Sequence, residues 1–135
     1  MTTVPASILL IDDDPFYLRV LGAVFRENGY LVSTARDGIE GIKVYLDKRP
    51  QVVISDLVMP RMGGVSTCIE IRRLAGEQEP IIILLTSMFQ EGPHEHTPPD
   101  MGARYHIPKT TTPLDIVILV EQLLTRDRQP LPPSA

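Results

Sequence analysis

The sequence predicts an α/β domain, a five-stranded parallel sheet wrapped by helices on both faces. Three observations carry this. Five short apolar runs recur along the chain, and most show no polar alternation, as in strands buried on both faces. Segments with apolar residues at helical spacing alternate with them. The first and third runs end in acids, and in open sheets of this kind the ligand site lies beyond the carboxyl ends of the strands.

The elements follow in order. Residues 8–11, Ile-Leu-Leu-Ile, are the first strand and run into Asp12, Asp13 and Asp14. Asp14-Pro15 starts a helix, with Asp as N-cap and Pro at the first helical position. Leu18, Leu21, Val24 and Phe25 recur along it, and Asn28-Gly29 ends it. Residues 30–35 are the second strand. Residues 37–48 are the second helix, with Ile39, Ile42 and Leu46 on one side and Pro50 as its stop. Val52-Val53-Ile54 is the third strand and ends at Asp56. After the loop from Met59 to Gly64, residues 65–75 form the third helix, with Ile69 and Leu74 among its buried candidates. Residues 80–85 are the fourth strand, ending at Thr86-Ser87.

Residues 90–101 break the rhythm. Gly92, Pro93, Pro98 and Pro99 rule out a regular helix there, so the fourth helix is expected to be short or missing. Residues 104–107 are a short fifth strand. Thr112-Pro113-Leu114-Asp115 starts the last helix, carried by Ile116, Leu119, Val120, Leu123 and Leu124. Pro130, Pro132 and Pro133 mark 126–135 as a disordered tail or the start of a linker. The domain is expected over 7–125, with 1–6 as an N-terminal extension. Crossovers are expected to be right-handed.

Composition narrows the function. At 135 residues, 43% of them hydrophobic, the chain makes one domain with a sizeable core. A net charge of −4 argues against direct nucleic-acid binding by this domain. The one cysteine, Cys68, allows no internal disulfide, fits a reducing compartment and reads as a small packed residue. Residues 1–7 lack a signal-peptide pattern, and no apolar run is long enough to span a bilayer. The expectation is a cytoplasmic domain with no membrane contact.

The strand-end rule brings Asp12, Asp13, Asp56 and Thr86 to one edge. Three converging carboxylates repel one another unless a cation sits among them or protons are retained. Hard oxygen ligands in small number suit Mg²⁺, which keeps waters and awaits a phosphate oxygen. A carboxylate can act as nucleophile and form an acyl phosphate. Phosphoryl transfer needs mainly positioning and charge neutralisation, for which a lysine and a hydroxyl are suited.

The ordered set Ile11-Asp12-Asp13-Asp14-Pro15, Asp56-Leu57-Val58-Met59-Pro60, Leu85-Thr86-Ser87, then Gly102-Ala103 followed by Lys109, resembles the response-regulator receiver family, from about residue 7 to 125. No single motif is specific; the set at these spacings is. The resemblance implies a flavodoxin-like (βα)5 three-layer sandwich and a phosphorylation-dependent switch of a two-component phosphorelay. It implies Asp56 as phosphoryl acceptor, with Asp12 and Asp13, together with Asp56 and the backbone carbonyl of Val58, as the Mg²⁺ site. Thr86 would bond the phosphoryl group and move towards it, and Lys109 would pair with a phosphoryl oxygen. Implied partners are a sensor histidine kinase or histidine phosphotransfer protein, a downstream protein or fused output domain, and a second copy in a homodimer. No enzymatic role is implied beyond the domain's own phosphorylation and dephosphorylation.

The chain departs from the family pattern in three places. Lys109 is followed by Thr110, where the family has a proline after a cis bond. His106 stands at the position of the family's aromatic switch, which would make that switch sensitive to pH, and Tyr105 would point to the opposite face. The proline-broken segment 90–101 falls in what is the usual partner face of the family. Val58 and Met88, two residues after Asp56 and Thr86, are apolar and should not orient an attacking water, which implies a long-lived phosphorylated state.

A degenerate receiver, acting as a phosphorylation-independent interaction module, is the alternative. An aspartyl-phosphate phosphatase would want a second acid where Val58 stands. His94 and His96, with Glu95 between them, offer too few ligands for zinc. Tyr17, Tyr30 and Tyr45 read as structural or surface positions.

Overall fold

The computed structural model describes residues 5–87, 103 and 105–128. Five strands, β1 (Ser7–Ile11), β2 (Leu31–Ala35), β3 (Val52–Asp56), β4 (Ile81–Thr86) and β5 (Tyr105–Pro108), form one sheet. All pairs are parallel, in the order β2-β1-β3-β4-β5. Strand order reverses between β1 and β3, so the crevice at their carboxyl ends is the place for a ligand.

Four helices lie among the described residues: α1 (Pro15–Glu27), α2 (Gly38–Lys48), α3 (Gly64–Ala75) and α4 (Pro113–Arg128). The segment 90–101, with its expected short or missing helix, lies outside the described residues, as do Met88, His94, Glu95, His96 and Gly102.

Period-two alternation along the strands splits the core in two. Ile8, Leu10, Ile54, Ile83 and Leu85 face α1 and α4, against Leu18, Leu21, Phe25, Ile116 and Val120. Leu9, Ile11, Val53, Ile82 and Leu84 face α2 and α3, against Tyr45, Cys68 and Ile71. Three layers result, with both faces of the sheet covered.

The end signals of α1 behave as the sequence predicts. The Asp14 side chain accepts from the Phe16 N–H at 3.0 Å, and Pro15 opens the helix. At the other end Gly29 takes φ +91°, a left-handed turn that glycine adopts without a Cβ penalty. The last helix opens where expected, with the Asp115 N–H donating to Thr112 Oγ1 at 3.3 Å.

Several expectations are corrected. Ile39 and Leu46 are exposed, and α2 buries Gly38, Gly41 and Tyr45 instead. The helix lies so close to the sheet that a Cβ on Gly41 would come within 2.6 Å of Ile11 Cδ1. Gly38, Gly41 and Tyr45 therefore mark the contact face, with Ile42 and Val44 packed at its edge, and Ile39 and Leu46 turn outwards. Ile69 is exposed as well, because α3 packs through Thr67, Cys68, Ile71 and Ala75. Tyr45 is core at 2% exposure, and the Phe25 and Tyr30 rings pack edge to face at 5.0 Å. The last helix continues to Arg128, through the first residues of the stretch 126–135 read as a tail. Among the described residues no helix is long and apolar enough to cross a membrane.

Candidate functional site: an acidic pocket with one lysine

The pocket lies at the carboxyl ends of β1 and β3. Asp12 directly follows β1, with its N–H tied to the Ala35 carbonyl at 3.1 Å, and is 1% exposed. Asp13 is exposed beside it. Asp56 is the last residue of β3 and is 4% exposed. One carboxylate oxygen from each of the three lies within 4.8 Å of the others. Helix α3 begins against this site: a Cβ on Gly64 would stand 2.2 Å from the Asp56 carbonyl oxygen.

Lys109 enters from the turn after β5. Its backbone N–H donates to the Thr86 carbonyl at 2.8 Å, and Thr111 N–H closes the turn on Pro108. Its Nζ lies 2.8 Å from Asp12 Oδ2 and 3.7 Å from Asp56 Oδ2. No cis peptide bond occurs among the described residues, so the Lys109–Thr110 bond is trans and still delivers the ammonium to the carboxylates.

The electrostatics follow from crowding. Burial first, then the Asp12 charge, pushes the Asp56 carboxyl up to about 6, while Lys109 opposes the rise and Asp13 adds to it. Burial also raises Asp12, against the pull of Lys109 and of the Asp14 N–H, which donates to Asp12 Oδ1 at 2.9 Å. Burial by itself would lower Lys109; the Asp12 carboxylate, then Asp56 and Asp14, outweigh it and hold the ammonium above the ordinary lysine value.

Among the described residues one lysine faces three carboxylates and does not balance them. Asp56 Oδ1 is buried with no hydrogen-bond partner among the described residues, a costly state that a hard cation would relieve. The donor set, all carboxylate oxygen, fits such an ion.

Thr86 sits one residue beyond the β4 partner of Asp56, with its hydroxyl 3.4 Å from the Ile107 carbonyl. His106 is half-buried and pairs with Leu84, on the face of α2 and α3; burial lowers its pKa and so favours the neutral ring. Tyr105 packs against the opposite core, as the alternation predicts. The Val58 side chain is 70% exposed.

Two features escaped sequence reasoning. The Tyr17 ring lies under the Lys109 ammonium, 4.7 Å from Nζ to centroid. Its position in the first turn of α1, four residues before buried Leu21, was the available signal. Second, buried Asp37 caps α2 through the Glu40 N–H at 2.8 Å and also accepts from the Arg61 guanidinium. Arg61, at φ +67°, thus ties the β3–α3 loop down to α2.

Known proteins resemble this chain in sequence and in fold. The chain is 31% identical over 123 residues to the response regulator MprA of Mycobacterium sp. (strain KMS), covering 90% of this chain and 52% of that protein. It is 42% identical over 84 residues to the transcriptional regulatory protein GlrR of Escherichia coli (strain K12), covering 62% of this chain and 19% of that one. The chain thus spans about half the length of MprA, and less of GlrR. Among solved structures, the response regulator TrrA of Thermotoga maritima, in complex with Mg(2+)-BeF, matches with TM-score 0.74 at 28% identity, over 87% of this chain and 98% of that one. The chemotaxis protein CheY4 of Vibrio cholerae matches in fold with TM-score 0.77 at 24% identity, over 88% and 98%. The response regulator receiver domain model matches residues 8–121, nearly the whole chain. With its 2-1-3-4-5 sheet and its acidic pocket at the β1–β3 crevice, the chain belongs to the response regulator receiver domain family.

Proposed function

We propose that this domain is a phosphorylation-dependent signalling switch that takes a phosphoryl group on Asp56. The observation that carries the reading is the Lys109 ammonium, 3.7 Å from a buried Asp56 carboxylate inside a cluster of three acids. An Asp56 oxygen attacks the phosphorus of a phosphohistidine on a kinase or phosphotransfer protein. The new O–P bond forms as the P–N bond breaks, and the electron pair leaves with the imidazole. Lys109 neutralises a phosphoryl oxygen. Asp12, Asp13, Asp56 and the Val58 carbonyl would hold Mg²⁺, which supplies the remaining positive charge on the phosphoryl oxygens. The complex of TrrA with Mg(2+)-BeF supports this choice of ion.

Thr86 and His106 carry the signal outwards. The Thr86 hydroxyl leaves the Ile107 carbonyl for a phosphoryl oxygen, and His106, one strand over, moves into the space beside it. Apolar Val58 does not orient a water for hydrolysis. The single free cysteine and the phosphohistidine donor fit the cytoplasm. The greater length of MprA and GlrR fits a fused or downstream output module.

The test is incubation with acetyl phosphate and Mg²⁺, read by intact mass. Wild type gains one phosphoryl group and Asp56→Asn gains none. Equal labelling of both proteins, or of neither, rejects Asp56 as acceptor, and the second outcome leaves a phosphorylation-independent interaction module.

A further inference from the structure

Lys109 reaches the pocket on a long, rotatable stem, and such an ammonium stays where its surroundings hold it. Among the described residues three groups surround it: Asp12 Oδ2 at 2.8 Å, Asp56 Oδ2 at 3.7 Å and the face of the Tyr17 ring at 4.7 Å. The two carboxylates are unreliable anchors. Their charge changes hands when a divalent cation enters among Asp12, Asp13 and Asp56, and the cation itself repels the lysine. The ring is different, because its quadrupole attracts the ammonium whatever the carboxylates are doing.

The polar end of Tyr17 has no comparable role. Its hydroxyl is buried with no hydrogen-bond partner among the described residues, and burial, then the Asp12 and Asp56 charges, pushes it up to about 12, so it stays neutral. The ring face is the engaged part. Helix α1 fixes it there: Asp14 caps the helix, Tyr17 stands in the first turn, and Leu18 and Leu21 anchor that turn in the core.

We propose that Tyr17 is a positioning residue whose ring face keeps the Lys109 ammonium beside Asp56 when a divalent cation occupies the acidic pocket. The proposal rests on the reading of Asp56 as phosphoryl acceptor. Tyr17 touches the lysine and takes no part in bond making.

The test uses the full chain and two readouts. In NMR of the cation-free protein, the Lys109 Cε protons should be shifted upfield by the ring in wild type and in Tyr17→Phe, and unshifted in Tyr17→Leu. In beryllofluoride titrations at saturating Mg²⁺, Tyr17→Phe should bind within about twofold of wild type, and Tyr17→Leu about five- to tenfold more weakly. In a Lys109→Ala background, Tyr17→Leu should have no further effect, because the two residues act as a pair.

Three results overturn the proposal: Tyr17→Leu binding as wild type does, Tyr17→Phe losing as much as Tyr17→Leu, or a full loss persisting without Lys109. Should Tyr17→Leu not fold, Tyr17→Met fills the space without a π face and replaces it. If wild type binds no beryllofluoride, the acceptor reading fails by itself, and the Cε shift still decides whether the ring holds the lysine.

Discussion

Asp56 is held in a state it would not choose in water. Burial and the Asp12 charge raise its pKa to about 6. Between about pH 4 and 6, the folded cation-free protein keeps a proton that the unfolded chain has already released. The Asp56 contribution to stability therefore falls as pH rises through that window. Removing the charge should help: Asp56→Asn should stabilise the cation-free protein at pH 7 by on the order of 1–2 kcal/mol. Thermal melts from acid to neutral pH check this, and a variant no more stable than wild type at pH 7 contradicts it. If the pocket holds a divalent cation as proposed, the same titration should make its affinity tighten as pH rises through about 6, since the ion needs the ionised carboxylate.

At the scale of elements, close approach sets the site. The first turn of α3 presses on the end of β3, where a Cβ on Gly64 would meet the Asp56 carbonyl oxygen at 2.2 Å and Leu57 Cα at 3.0 Å. Backbone cannot yield as a flexible side chain does, so Gly64→Ala should cost about 1–3 kcal/mol. It should also displace Asp56 and weaken beryllofluoride binding, whereas Gly76→Ala, where a Cβ meets nothing within 4 Å, should carry only the penalty of its positive φ. Chemical denaturation of both variants, with a beryllofluoride titration alongside, measures the difference. Unchanged binding in folded Gly64→Ala would show that the contact does not set the position of Asp56. Arg61 and Asp37 add a second restraint, fastening the β3–α3 loop to the α2 cap.

For the whole molecule, three carboxylates against one lysine make the pocket a store of repulsion that ligand binding releases. An ion held by the folded pocket, as proposed for Mg²⁺, and not by the unfolded chain should raise Tm. At tenfold above Kd the gain is about 1.4 kcal/mol. A melt series in Mg²⁺ should show that rise in wild type and lose it in the double variant Asp12→Asn, Asp13→Asn. An equal rise in both would place the ion elsewhere.

Much of this was legible in the residues. Continuous apolar runs ending in Asp12 and Asp56 announce buried parallel strands, because a strand covered on both faces has no polar alternation to display. Local end signals worked for the same reason: Asp14-Pro15 and Asn28-Gly29 act through bonds within a few residues. Local pattern failed where packing distance decides. Ile39, Leu46 and Ile69 look buried in sequence, yet α2 packs through Gly38, Gly41 and Tyr45 and α3 through Thr67, Cys68, Ile71 and Ala75, which leaves those three side chains exposed. Side-chain contacts across the pocket were equally hidden. By itself the sequence determined that the acids, the threonine and the lysine stand at or just after the ends of strands. Only the tertiary structure decided that Tyr17 covers Lys109 and that Asp37 holds Arg61, because those contacts join residues far apart in the chain, which no local pattern encodes.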